Sequence, residues 1–215
     1  MTAPAPETDP TPPPGRRERK KQATREALLD AAFRLFSEKG YEATTVEEIA
    51  DAVDVSARTF FRYFASKEDV ALTSQEAQFY AMLDAFAARP PEESVLTALR
   101  AAGALLTEAL DAEGATDERM SRFDCLMRLT EESPGLRASS MERTRRKNDE
   151  MTRAIAVRMG ADPETDLRPR MFAAMASTAF MVAADAYRTG LGGFGSFAEV
   201  VDAAFEVLEK GFKDY

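Results

Sequence analysis

From Thr45 to Lys67 three helix starts follow one another so closely that only short helices and tight turns can connect them. Thr45-Val46-Glu47-Glu48 is a capping box, in which the Thr hydroxyl and the Glu carboxylate each satisfy a backbone N–H that the first helical turn leaves unpaired. The helix it opens turns Val46, Ile49, Ala50 and Val53 inward. Asp54 and Val55 leave room only for a tight turn before Ser56, a second cap, after which Phe60 and Phe64 share one face. Ser66-Lys67-Glu68-Asp69 repeats the cap pattern and starts a longer helix. Two short helices joined by about three residues make a helix-turn-helix. Ahead of it, Leu28, Ala31, Ala32, Leu35 and Phe36 recur at three- and four-residue steps, which predicts a long amphipathic helix that Gly40 ends.

Beyond residue 70 the pattern is helix after helix. Breaks at Arg89-Pro90-Pro91, around Gly114, at Ser133-Pro134, at Gly160 to Pro163 and at Gly190 to Gly195 predict helices near 67–88, 92–111, 117–131, 134–159, 164–189 and 196–213. With the first three, that makes nine helices, no strand and an all-α fold. Residues 1–15, rich in Pro, Thr and Ala, are expected to be a disordered tail. Residues 16–66 then form the helix-turn-helix domain and 67–215 a larger helical bundle.

Two absences restrict the chemistry. The chain has no histidine and one cysteine, Cys125. Zinc fingers, Cys/His pairs and Ser/His/Asp triads are therefore excluded. No carboxylate pair stands out from the solvated helix faces, so the expectation is a protein that is not an enzyme, with no cofactor and no metal. A lone cysteine suits a reducing cytoplasm. No apolar run approaches the roughly 20 residues that span a bilayer, and no membrane is expected as a partner.

A net charge of −9 argues against nucleic acid until its distribution is considered. Arg16, Arg17, Arg19, Lys20, Lys21 and Arg25 crowd one stretch with a single acid, Glu18, while Ser56 to Lys67 holds Arg58, Arg62, Lys67 and no acid. Phosphate responds to the field within about 8–10 Å, not to the total charge. Ser56 to Lys67 thus has the composition of a recognition helix, with Ala57, Arg58, Thr59, Arg62 and Tyr63 outward. Arg can pair with guanine O6 and N7 in a major groove, and a Thr methyl can meet a thymine methyl. The competing reading of the same residues is a helical hairpin whose charges are merely solvated.

The run Phe36-(x)3-Gly40-Tyr41-(x)2-Thr44-Thr45-Val46-(x)2-Ile49-Ala50, followed by Val55-Ser56-(x)2-Thr59-Phe60-Phe61-(x)-Tyr63-Phe64-(x)-Ser66-Lys67, resembles the N-terminal signature of the TetR family of bacterial regulators. The resemblance implies a homodimer whose recognition helices enter successive major grooves of a near-palindromic, double-stranded DNA operator. Carried over by position, it implies that Ser56 caps the recognition helix and that Ala57, Arg58, Thr59 and Arg62 face bases or backbone. Tyr63, Lys67 and Thr45 become the expected phosphate contacts. Two positions depart from the pattern. Phe61 stands where many members have tyrosine, which removes a hydroxyl, and Asp54 stands where the turn commonly has glycine. The Arg16–Lys21 arm is open to two readings, a minor-groove arm or a basic helix start.

The resemblance also implies that the C-terminal part encloses a pocket for an effector, here an unidentified apolar small molecule that releases the protein from DNA as a repressor. Phe86, Leu106, Phe123, Met127, Met151, Met175 and Asp185 are the candidate pocket residues, each with ordinary core packing as its alternative. Asp185 has three possible settings: the pocket, the dimer seam or solvent. Asp124 and Arg128, four residues apart, have two readings, a pair along their own helix or a ligand anchor. The last two helices are the expected dimer interface, through Phe172, Ala176, Phe180, Val201, Phe205 and Leu208. The rival function is a small-molecule-binding or scaffold dimer that does not read DNA.

Overall fold

A computed structural model describes residues 15–112 and 116–211, apart from the side chains of 74, 75, 109–112 and 116–119. The tail expected at 1–15 lies outside the described residues except for Gly15, as does the break expected around Gly114. The described residues form nine α-helices and one 3-10 turn, with no strand. They are α1 (Arg16–Lys39), α2 (Val46–Asp51), α3 (Ala57–Phe60), α4 (Lys67–Ala87), α5 (Val95–Ala112), α6 (Thr116–Glu132), α7 (Pro134–Met159), α8 (Leu167–Thr189) and α9 (Phe197–Lys210).

The helix starts follow the local chemistry. Ser56, Ser66, Ser133 and Ser196 each accept the backbone N–H three residues on. Gly160 and Gly190 close α7 and α8 in the left-handed conformation, at φ 59° and 68°. Two helices begin later than the breaks suggest. Before α5, Ser94 caps Thr97 N–H, and the Arg158 guanidinium of α7 gathers the carbonyls of Arg89, Pro90 and Glu93, holding that stretch as a loop. Before α8, Asp162 closes a turn on Glu164 N–H, and Asp166 is the residue that caps the helix.

Two apolar cores result. The first packs Leu28, Phe36, Ile49, Phe60, Phe64 and Val70 together, all essentially fully buried. Cys125, Leu126 and Leu129 of α6 and Leu136 of α7 belong to the same cluster, so the helix-turn-helix head is closed by side chains from the body. The second core joins Met82, Phe86, Leu99, Ile155 and Phe205 to a stripe of six alanines on α8, Ala173, Ala176, Ala179, Ala183, Ala184 and Ala186. Small side chains let α8 lie close against α7 and α9. Gly103 of α5 does the same locally, since a Cβ there would come within 2.7 Å of the Phe180 ring.

Polar ties join head and body along α6 and α7. Arg122 pairs with Asp30, the Ser37 hydroxyl lies 3.3 Å from the Cys125 thiol, and the Ser133 hydroxyl donates to Glu42 at 2.6 Å. Within the body, Arg143 of α7 bridges Asp69 and Glu76 of α4 at 3.1 and 2.8 Å.

Candidate nucleic-acid interface and effector groove

The reading end of the head is assembled from caps. Glu48 N–H donates to the Thr45 hydroxyl at 3.2 Å and Thr45 N–H donates back to the Glu48 carboxylate at 2.9 Å. Lys39, at the end of α1, pairs with the same carboxylate. The hydrogen bond from Lys39, with those from the Thr45 backbone and hydroxyl, lowers the Glu48 pKa to about 2. The turn between α2 and α3 is closed by Val55 N–H on the Ala50 carbonyl at 3.1 Å. Asp54 takes a φ of 54°, the left-handed geometry that Asp tolerates better than most residues.

Ser56 then caps α3, accepting Thr59 N–H at 3.2 Å, with its hydroxyl 3.1 Å from the Thr59 hydroxyl. The α-helix itself is one turn, and tighter bonds from Arg62 N–H to Thr59 O and from Tyr63 N–H to Phe60 O carry the chain on. Phe60 and Phe64 anchor this segment in the head core. Arg58, Phe61 and Arg62 are exposed, while Ala57, Thr59 and Tyr63 are half-buried. Arg62 lies 5.1 Å from the centre of the Tyr63 ring, and Arg58 has no ion pair among the described residues.

Several expected contacts take a different local role. The Thr45 hydroxyl donates to Glu48 and its N–H is occupied in the box, so Thr45 acts here as a cap with no donor left over for a phosphate. Lys67 donates to the carbonyls of Tyr41 and Thr44 at 2.7 and 2.9 Å, and its ammonium sits 4.2 Å from the Tyr41 ring centre. It locks the α1–α2 loop to the start of α4 and keeps one N–H. Arg16 to Lys21 are helical from the first described turn, which is the helix-start form of that basic stretch. Phe61, absent from the expected contacts, is the large apolar side chain displayed beside the two arginines. Its sequence signal was the missing hydroxyl.

The expected pocket residues divide. Phe123, Met127 and Asp185 come together along a groove of about 1050 Å³ between α6 and α8, with Met181 and Tyr187 on the same walls. Phe86 and Met151 are instead buried in the body core, Leu106 packs against it half-buried, and Met175 is half-buried outside the groove. Asp124 does not pair with Arg128 on its own helix. It reaches Arg188 of α8 at 3.1 Å, and Arg188 also pairs with Asp185. The hydrogen bond that Arg188 donates to Asp185 raises the Arg188 pKa, and the Asp124 charge adds to it. Arg128 lines the groove with no ion pair among the described residues.

The residues expected at the dimer face divide within one protomer. Ala176, Val201 and Phe205 are at most 4% exposed within one protomer, and Phe180 stacks edge-on to Phe205 at 5.5 Å. Their burial is between α5, α8 and α9 of the same chain. Phe172, Phe180 and Leu208 are half-buried. The apolar surface that α8 leaves exposed is the neighbouring stripe: Leu167, Met171, Met181 and Val182. Among the described residues no helix is long and apolar enough to cross a membrane.

Known proteins share both parts of this layout. Residues 28–73 match the family model described as bacterial regulatory proteins, tetR family, and residues 93–213 match the MftR C-terminal domain. The chain is 44% identical over 163 residues to the HTH-type transcriptional regulator TcmR of Streptomyces glaucescens, covering 75% of this chain and 72% of that protein. It is 31% identical over 197 residues to MftR of Mycobacterium tuberculosis, named as a transcriptional regulator, covering 90% of this chain and 93% of that protein. Among solved structures, NalD of Pseudomonas aeruginosa shares the fold at a TM-score of 0.59 and 19% identity, over 92% of this chain and all of that one. With head and body both matched, the chain belongs to the TetR family of bacterial transcriptional regulators.

Proposed function

We propose that this protein is a homodimeric repressor that binds a near-palindromic DNA operator and leaves it when an apolar small molecule enters the groove between α6 and α8. The observation that carries the reading is the tip of α3. Arg58 and Arg62 stand exposed on a segment whose other side, Phe60 and Phe64, is fixed in the head core. A rigid, exposed arginine pair is what direct readout of guanine in a major groove requires. Ala57, Thr59 and Tyr63 flank it, and Lys67 offers its remaining N–H at phosphate level.

Two such tips must lie about 34–36 Å apart to meet half-sites one helical turn apart. The exposed stripe Leu167, Met171, Met181 and Val182 on α8 supports the self-association that supplies the second tip. For release, α6 is the shared element. Its Cys125, Leu126 and Leu129 are part of the head core, while Phe123 and Met127 line the groove. A ligand that shifts α6 therefore moves groove and head together. A hundredfold loss of operator affinity needs about 2.7 kcal/mol of coupling, within the ordinary allosteric range.

Selection from a random duplex library tests the reading, with an enriched near-palindrome expected. Arg58→Ala should then lower base discrimination by roughly 1–3 kcal/mol at one position per half-site. Recovery of no preferred duplex would sink the proposal in favour of a ligand-binding or scaffold dimer.

A further inference from the structure

We infer that Phe61 is a specificity-determining residue, whose ring packs on the 5-methyl group of a thymine in the operator half-site. The inference rests on the operator reading and deepens it. Phe61 is 55% exposed, whereas its neighbours Phe60 and Phe64 are buried. Its conformation is still helical, φ −63° and ψ −11°, so it projects one turn on from Ala57 and Arg58 and next to Arg62. All three exposed side chains thus share the outward side of the tip.

The ring is not loose. It meets Phe60 edge-on, at 5.4 Å between centres and an interplanar angle of 88°, and Phe60 in turn tilts against Phe64 at 5.6 Å. Two aromatic contacts therefore run from the exposed ring to the head core. A phenyl group held in water forgoes the gain that burial would bring, so its partner must offer apolar surface. That partner must also suit the two guanidinium groups beside it, which call for an anionic, acceptor-rich frame. The major groove of B-DNA satisfies both demands, and the apolar group its base edges present there is the thymine methyl. A thymine beside the guanine read by arginine is the chemistry this surface fits.

Once an operator is selected, each thymine is replaced singly by deoxyuridine, which removes the methyl and nothing else. At one thymine per half-site the wild-type affinity is expected to fall about fourfold, the equivalent of about 0.8 kcal/mol for one buried carbon. Replacement in both half-sites is expected to compound the loss. Phe61→Ala should bind the thymine and deoxyuridine operators alike, while Phe61→Tyr, which keeps the ring, should still discriminate. Because Phe61 lies outside the buried cluster, the variants are expected to unfold in one cooperative transition with at most a small loss of thermal midpoint, which checks that they fold. Wild-type indifference to every replacement overturns the inference while leaving the operator reading intact, as does discrimination that survives in Phe61→Ala. Failure of the selection to yield any preferred duplex overturns the operator reading, and this inference with it.

Discussion

The head and the body of this molecule are stabilised by opposite means. The head is built around large side chains, Phe36, Phe60, Phe64 and Ile49, and its loops are tied by side chain to backbone, as in the Thr45 box and the Lys67 lock. The body brings helices together over alanine and glycine, with α8 contributing six buried alanines and α5 the close approach at Gly103. A reading surface must hold a few side chains in fixed relation, and interdigitated aromatics with capped ends do that. The proposed release by a ligand calls for helices that slide and a groove that can fill, and smooth alanine contacts with methionine at the edges suit it. The head should therefore suffer most from deletion and the body from addition.

Phe60→Ala is the strongest test of the first half. Phe60 is fully buried and touches both Phe61 and Phe64, so its loss should cost about 3–5 kcal/mol of stability. Denaturant unfolding of the full chain followed by circular dichroism measures it. A cost below about 1 kcal/mol, the scale of an ordinary surface change, would mean the head is not organised by this cluster.

Lys67 tests the same contrast through polar ties. Its ammonium serves the carbonyls of Tyr41 and Thr44, and hydrogen bonds to a charged group are worth about 1.5–3 kcal/mol. Lys67→Ala should lose stability on that scale and weaken every duplex alike. A single phosphate contact contributes about 0.9 to the slope of log affinity against log salt. Because two of the three N–H groups are engaged inside the head, a slope that falls by much less than this is expected. A full unit of change without loss of stability would return Lys67 to a purely phosphate-binding role.

Much of the head was legible in the sequence, because its signals are local. Thr45, Ser56 and Ser66 announce helix starts with side chains that reach only three residues, and Asp54, standing where the turn commonly has glycine, takes the left-handed conformation. The body was less legible because its decisive partners are distant. Asp124 chose Arg188 over Arg128, and Arg158 delayed α5 by gathering the loop at Arg89 to Glu93. The choice between pocket, core and seam was hard to read for a related reason. Phe86, Phe123 and Phe205 are chemically alike, and only packing sends Phe86 and Phe205 to the body core and Phe123 to a groove. Periodicity found α8 but could not show that its alanine stripe faces inward while Met171 and Val182 face out.

Gly103→Ala carries the comparison into the body. In an open helix this change is favourable by about 1 kcal/mol. Here the new methyl meets the Phe180 ring at 2.7 Å, and that ring is braced against Phe205. Overpacking costs about 1–3 kcal/mol, so the sum is a net destabilisation on the order of 1 kcal/mol. The sign is the test: a stabilised variant would show that α5 and α8 have slack, and the body would not be close-packed in the sense argued.

The smallest expected effect is the acid response of the head, and its sign follows from Glu48. The carboxylate is held at about 2 when folded by Lys39 and by the Thr45 hydroxyl and N–H, against about 4.3 for a free glutamate. A depressed carboxylate adds stability that is fully present above the free value and is lost as pH falls from there through about 2. The α1–α2 corner should thus loosen between about pH 4 and pH 2, and Glu48→Gln, which keeps the shape but not the charge, should remove part of that dependence. Because Glu48 is solvent-exposed, salt should weaken the effect at fixed pH. An unchanged acid-unfolding midpoint in Glu48→Gln would show that this corner is held by its backbone alone, and that charge has no part in the rigidity that separates head from body.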